Sequence, residues 1–502
     1  MFDMNLRPAL AVLVSLAASG LIYVLGDHIH RNVREAITFL AAAAKIVLVY
    51  SMIPAVLAGE AIELTVLPIV KGVDLAFSVD PAGMVFACVA STLWILTSCY
   101  SVGYMRGHGE KNQTGYYSAF AMCLSAATGI CFSANLLTFF IFYEVLTVAT
   151  YPLVVHYRDE EGTQSGRKYL AYTLISGQLF FAGMVVIYAV SGTLDFKAGG
   201  FLTPEMLPMP WALVLFILMI GAGIVKAGVM PLHSWLPAAM VAPTPVSALL
   251  HAVAVVKAGA FCTLRIVLYV FGPAMAAYCR GADLLAWMAV ATILVSSLIA
   301  IRKDNLKARL AFSTIGQLSY IILGIAILSP FAAAGALYHI VAHAFMKITL
   351  FMCAGAIFVT THKKNISEMV GIGRRMPVTM TAFTAASLAV AGFPFFVGFV
   401  SKANIIMGAV SMGKPFFVAT LIVSALLALT YLTPVVMIAF KRDTVNPEFT
   451  SYGEANYAML IPLVITAVIS IVLGLAPNFG LHLYDMALMA GNAIFDTIGV
   501  GL

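Results

Sequence analysis

The chain has 502 residues, of which 62% are hydrophobic and only 10% charged, and apolar runs long enough to cross a bilayer recur from end to end. This excludes a water-soluble globular protein, and because the runs lack the two-residue alternation of an outer-membrane barrel, the chain reads as an all-α polytopic membrane protein. The formal net charge of +6 follows from basic loops at a membrane face and offers no nucleic-acid patch.

The pattern predicts about fourteen transmembrane helices, at residues 8–26, 34–58, 81–104, 116–133, 135–156, 167–190, 209–230, 244–270, 284–301, 310–328, 332–360, 378–411, 415–439 and 457–475. A hydrocarbon core about 30 Å thick needs roughly 20 residues per span. No soluble domain fits between them. The first span ends in the small residues LAASG, yet it is expected to stay as an anchor, since cleavage as a secretion signal would spoil the charge pattern. Loops after odd-numbered spans hold 17 basic residues, Arg442 among them, against 5 on the other side (Arg7, Lys71, Lys197, Arg280 and Lys414). That bias places the odd-numbered loops in the cytoplasm and both termini outside. Six basic residues remain in or at the edges of spans: Lys45, Lys226, Lys257, Arg265, Lys347 and Lys402. Lys45 and Arg265 are expected to snorkel to the headgroups.

Glu144, in the fifth span, reads as the single carboxylate inside the hydrophobic spans. A carboxylate in hydrocarbon takes up a proton unless a cation sits beside it, and Lys226 near the end of the seventh span is the natural partner. Lysine suits proton exchange because it can give up its proton when desolvated, which arginine does not. A static ion pair that fixes helix packing is the plainer alternative.

The seventh span runs into KAGVMPLHSWLPAAMVAPTPVSALLH, where Pro231, Pro237, Pro243 and Pro245 must interrupt the helix. His251 and Lys257 follow in the eighth span; six residues apart, they need not touch. The eleventh span, ALYHIVAHAFMKITLF, places His339, His343 and Lys347 at i, i+4 and i+8 on one face, about 12 Å of helix. Such a stripe is a plausible proton relay. Zinc is the competing use of two histidines, but no Cys, Asp or Glu accompanies them there, and no metal is expected. The twelfth span carries a second interruption at Gly392, Pro394 and Gly398, with Lys402 just beyond. The seven cysteines are scattered without ligand spacing, so structural thiols and no cofactor are expected.

The segments KAGVMPLHSWLPAAMVAPTPVSALLHAVAVVKAG, ALYHIVAHAFMKITLF, and GIGRRMP followed by GFPFFVGFVSK resemble the antiporter-like membrane subunits shared by respiratory complex I, membrane-bound hydrogenases and Mrp cation/proton antiporters. The GIGRRMP signature and the overall length are most similar to the D-type Mrp subunit. The resemblance implies fourteen helices, with helices 7 and 12 broken and two inverted five-helix repeats. This gives helices 1–3 at 1–115, repeats at 116–270 and 271–440, and helix 14 with a short tail at 441–502. It implies proton-transfer roles for Glu144, Lys226, His251, Lys257, His339, His343, Lys347 and Lys402. Residues 481–502 read as at most a short amphipathic tail, without the long lateral helix of the distal complex I homologue. The function implied is proton translocation within a multisubunit antiporter; membership of a complex I-like or hydrogenase complex pumping protons or Na⁺ is the alternative. Partners would be other membrane subunits, further antiporter-like subunits included, in a bacterial or archaeal inner membrane.

Overall fold

The structure, a computed structural model, describes residues 3–70, 72–441 and 447–496. Lys71, Arg442 and the last residues of the expected tail, 497–502, lie outside the described residues. Twelve helices among the described residues are long and apolar enough to cross a membrane. In chain order these are Met4–Leu25, Arg31–Leu57, Pro81–Gly107, Gln113–Phe132, Leu136–Val154 and Glu160–Ser191 (spans 1 to 6), and Thr244–Tyr278 (span 8). Gly281–Arg302, Leu306–Ala326 and Pro330–Thr361 are spans 9 to 11, and Pro415–Ala439 and Tyr457–Leu475 are spans 13 and 14. Three shorter apolar helices supply span 7 (Trp211–Ala227) and the two halves of span 12 (Pro377–Ala391 and Val397–Ser411).

The order matches the sequence reading, with edges shifted by a few residues. Span 8 runs on to Tyr278, and span 6 begins seven residues earlier because the Asp159 side chain caps it by accepting from Gly162 N. One element escaped the sequence reading, and another was read only as a short amphipathic tail. An antiparallel hairpin, β1 (Glu63–Val70) and β2 (Val73–Ser78), lies between spans 2 and 3. A terminal helix, Leu483–Phe495, buries one face against spans 3 and 11. Both are shorter than a bilayer crossing, so a search for long apolar runs passes over them.

The two expected breaks are present. Span 7 stops at Gly228, which takes the left-handed conformation (φ 71°), and the chain passes through a short helix, Trp235–Ala238, before span 8. Span 12 stops at Gly392 (φ 87°) and restarts at Val397. A Cβ on Gly398 would lie 2.0 Å from the Ala389 carbonyl oxygen, so glycine lets the half-helices meet. Span 8 is also interrupted, between Thr244–Ala252 and Val255–Leu264, and then widens into a π-helical stretch, Arg265–Phe271. No proline or glycine marks that break in the sequence. The central stretches of spans 8 and 11 are enclosed by protein, whereas spans 1, 2, 6, 13 and 14 present much of their surface outward. Residues on spans 8 and 11 therefore meet other helices rather than lipid.

Candidate functional site

Span 5 starts at the Asn135 cap, whose side chain accepts from Thr138 N, and carries Glu144 in its middle. Glu144 is half-buried against span 6, where a Cβ on Gly177 would lie 2.1 Å from Glu144 Oε1. Oε1 is buried without a hydrogen-bond partner. Lys226, in the last turn of span 7, is fully buried. Its Nζ donates to the Tyr143 carbonyl at 2.7 Å and sits 3.2 Å from the centre of the Tyr143 ring, while the Tyr143 hydroxyl donates to the Ala222 carbonyl. Glu144 and Lys226 are thus neighbours across the Tyr143 backbone, and the direct ion pair of the plainer alternative is not among the ion pairs of the described residues.

The break in span 8 turns the backbone of His251 toward Lys257, whose Nζ donates to the His251 carbonyl at 3.3 Å. The same ammonium is hydrogen-bonded to His343 Nδ1 of span 11. The two residues that need not touch on a straight helix are joined because the helix is not straight. The His251 ring packs 4.9 Å from Phe351 with both nitrogens buried and unpartnered.

Along span 11 the stripe is present, and it divides in two directions. His343 and His339 rings are 6.3 Å apart, and His339 Nδ1 is hydrogen-bonded to Ser401 Oγ at 2.7 Å, next to Lys402. Lys402 Nζ donates to the Val390 carbonyl at 2.5 Å, in the last turn of the first half of span 12, and lies 4.6 Å from the Tyr320 ring. The His339 ring stacks on that same tyrosine. Lys347 points the other way, donating to Ser313 Oγ, which meets the Tyr431 hydroxyl at 2.8 Å. His343, and not Lys347, is therefore the group that receives Lys257. The amines and imidazoles of these two spans are fully buried, and Lys402 nearly so.

A cavity of about 680 Å³ opens at the ends of spans 3, 5, 9 and 11, lined by His108, Tyr157, Thr244, Lys307 and Lys363 among others. Thr244 begins span 8, so the cavity reaches the helix that carries His251 and Lys257. Loops following odd-numbered spans converge on it.

The family model described as "NADH:quinone oxidoreductase/Mrp antiporter, TM" matches residues 133–430, from the start of span 5 almost to the end of span 13. The chain belongs to this family. It is 30% identical over 417 residues to "NADH-quinone oxidoreductase subunit N" of Desulforudis audaxviator, covering 80% of this chain and 82% of that one. It is also 30% identical to a Na(+)/H(+) antiporter subunit of Alkalihalophilus pseudofirmus, covering 85% of this chain but only 55% of that longer protein. Its fold matches a chain of the Mrp complex from Dietzia sp. with a TM-score of 0.85 at 21% identity, covering 100% and 99% of the two chains.

In this family member, two cations assigned to headgroup snorkelling from sequence are instead buried. Arg265 pairs with Asp80 through two hydrogen bonds, at 2.6 and 2.7 Å, and is ringed by Phe196, Phe261 and Tyr269. Lys45 donates to the Leu124 carbonyl and to Thr128 Oγ1. Lys45 lies on the face of span 2 that packs on spans 3 and 4, and Arg265 on a stretch of span 8 that other helices and the Asp80 cap of span 3 enclose. Glu144 is also not the single buried carboxylate: Glu35, near the start of span 2, is buried against Arg34 and Arg106. Tyr143, Ser313, Tyr320 and Ser401, which hold the titratable groups, were not legible, since hydroxyls abound in these spans. Lys307, which reads from sequence as a loop charge, donates from Nζ to the Ala242 carbonyl. Among the described residues, no group of three His, Cys, Asp or Glu side chains could hold a metal ion.

Proposed function

We propose that this chain is a proton-translocating, antiporter-like subunit of a multisubunit cation/proton antiporter of the Mrp type or of a related redox-driven complex. Protons pass along Lys226, Lys257, His343, His339 and Lys402, with Glu144 setting the charge beside Lys226 and Lys347 acting as a side branch. The observation that carries the reading is the contact between Lys257 and His343, which links the helix after the first break to the stripe that leads to the second.

A cation buried in hydrocarbon costs roughly 2.5–3.5 kcal/mol by insertion scales, so several in one row call for a functional return. Amines and imidazoles supply it, because each can hold or release a proton while its neighbours change charge. The buried, unpartnered atoms of Glu144, His251, His339 and His343 are where bridging water would complete a route. The cavity above span 8 supports uptake from the face bearing the basic loops, read here as cytoplasmic, with both termini on the outer side of a prokaryotic inner membrane. Residues 116–270 and 271–440 act as the two repeats, each with one lysine beside a break. Moving one charge through the membrane field takes about 2.3 kcal/mol per 100 mV, an amount neighbouring subunits can deliver by altering the Glu144 and Lys226 pair. A hard cation wants several oxygen ligands, so the proton is the ion this row serves.

The test is transport by the assembled parent complex in vesicles. Lys226→Ala and Lys402→Ala abolish coupled transport while the complex still assembles; normal transport in either assembled variant overturns the reading.

A further inference from the structure

Lys45 takes no part in the row above. It is fully buried in span 2, and no carboxylate lies within ion-pair distance of it among the described residues. Its two acceptors, the Leu124 carbonyl at 2.8 Å and Thr128 Oγ1 at 2.7 Å, suffice for a neutral amine and leave the third position of an ammonium open. Its Nζ also lies over the ring of Trp94 of span 3, 5.0 Å from the ring centre, a π face that an ammonium can meet but not hydrogen-bond as it would an oxygen.

Trp94 belongs to a line of polar side chains, Ser91, Trp94, Ser98 and Ser101, spaced three, four and three residues apart on one face of span 3, about 15 Å of helix. All four are buried. Three of them, through Ser91 Oγ, Trp94 Nε1 and Ser98 Oγ, have no hydrogen-bond partner, an expensive arrangement if its only purpose is packing. Ser101 Oγ meets the Tyr116 hydroxyl of span 4 at 2.7 Å, and the Tyr116 ring lies edge-on to His156, whose Nε2 is 3.6 Å from Glu110. The line therefore runs from a buried amine in mid-span to an imidazole and a carboxylate at the face with the basic loops. Other ionisable groups bearing on this wedge are Cys131 beside Lys45, Glu35, Arg34 and Arg106 at the ends of spans 2 and 3, and Tyr117, whose hydroxyl is also unpartnered.

We propose that the wedge between spans 2, 3 and 4 is a second proton-exchange site, in which Lys45 takes up and releases a proton by way of Ser98, Ser101 and Tyr116 from the His156 and Glu110 face. Uptake forms one N–H bond on the amine and adds one positive charge; release returns the proton to water at the same face. The site stands apart from the Lys226 to Lys402 row and does not depend on it.

The experiment is nitrogen NMR of the full chain, in its parent complex in lipid vesicles, with lysines labelled at Nζ. The Lys45 signal is identified by its absence in Lys45→Met, or in Lys45→Arg if the former does not assemble. The expected result is interconversion of ammonium and amine as the pH is stepped over the range in which the complex stays assembled, with hydrogen–deuterium exchange slowed about tenfold or more by Ser98→Val with Ser101→Val. Lys402, read in the same sample, keeps its exchange rate in that double variant. A Lys45 signal that holds one form across the range, or exchange that is unchanged in the double variant, overturns the proposal whatever the Lys402 signal does.

Discussion

Lys257 and His343 are 86 residues apart in sequence and hydrogen-bonded in the structure, because the break in span 8 swings the lysine across to the histidine stripe of span 11. In the proposed route this contact is where the proton passes from the first half of the chain to the second. His343→Ala should therefore lower transport by roughly a hundredfold, whereas His251→Ala, which keeps the carbonyl that Lys257 uses, should cost much less. Proton flux of assembled complex in vesicles separates the two; equal effects would show that the imidazole of His251 is itself on the route.

Gly177 is the wall against which Glu144 rests. A methyl group there meets Glu144 Oε1 at 2.1 Å, so Gly177→Ala forces the carboxylate to move. The expected stability cost is about 1–3 kcal/mol, and transport should fall as far as in Glu144→Gln. Wild-type transport in Gly177→Ala would mean that the position of Glu144 is not critical.

The Asp80 and Arg265 pair ties the start of span 3 to the π-helical part of span 8. Arg265→Ala leaves the carboxylate without its cation and should destabilise the protein by about 3–5 kcal/mol. Thermal unfolding of the detergent-solubilised protein measures it. Asp80→Asn with Arg265→Met should recover part of that loss, because no uncompensated charge remains.

Glu110 lies in the loop between spans 3 and 4, outside the membrane. Burial alone would raise its carboxyl, but hydrogen bonds from His156 and Tyr157 and the nearby imidazoles hold it below its ordinary value. Its folded state favours the charged form, so its contribution is present above about pH 4.3 and disappears as the pH falls through the lower folded value. Unfolding temperature measured against pH should drop more steeply through that acidic range in the wild type than in Glu110→Gln; parallel curves would remove Glu110 as the cause.

Much of the architecture was legible because the bilayer reduces the problem to one dimension. Apolar length gave the spans, Pro231, Pro237 and Gly392 marked two breaks, and i, i+4, i+8 spacing put His339, His343 and Lys347 on one face. The break in span 8 was not legible, since Val253 and Ala254 are ordinary helix residues held out of helical geometry by what surrounds them. Lys45 and Arg265 were misplaced for a related reason: a lone cation in an apolar span reads the same whether its long side chain reaches the headgroups or a partner on another helix.

By itself the sequence determined which titratable groups lie in apolar spans and at what spacing along each helix, because hydrophobic length and 3.6-residue periodicity are local properties. Only the tertiary structure decided which of them meet: that Lys257 takes His343, that Lys347 turns to Ser313, and that Lys226 rests on the Tyr143 carbonyl beside Glu144. Those choices depend on how helices separated by tens of residues rotate and lean against one another, and small residues such as Gly177 and Gly398 set that approach at contacts no single span encodes.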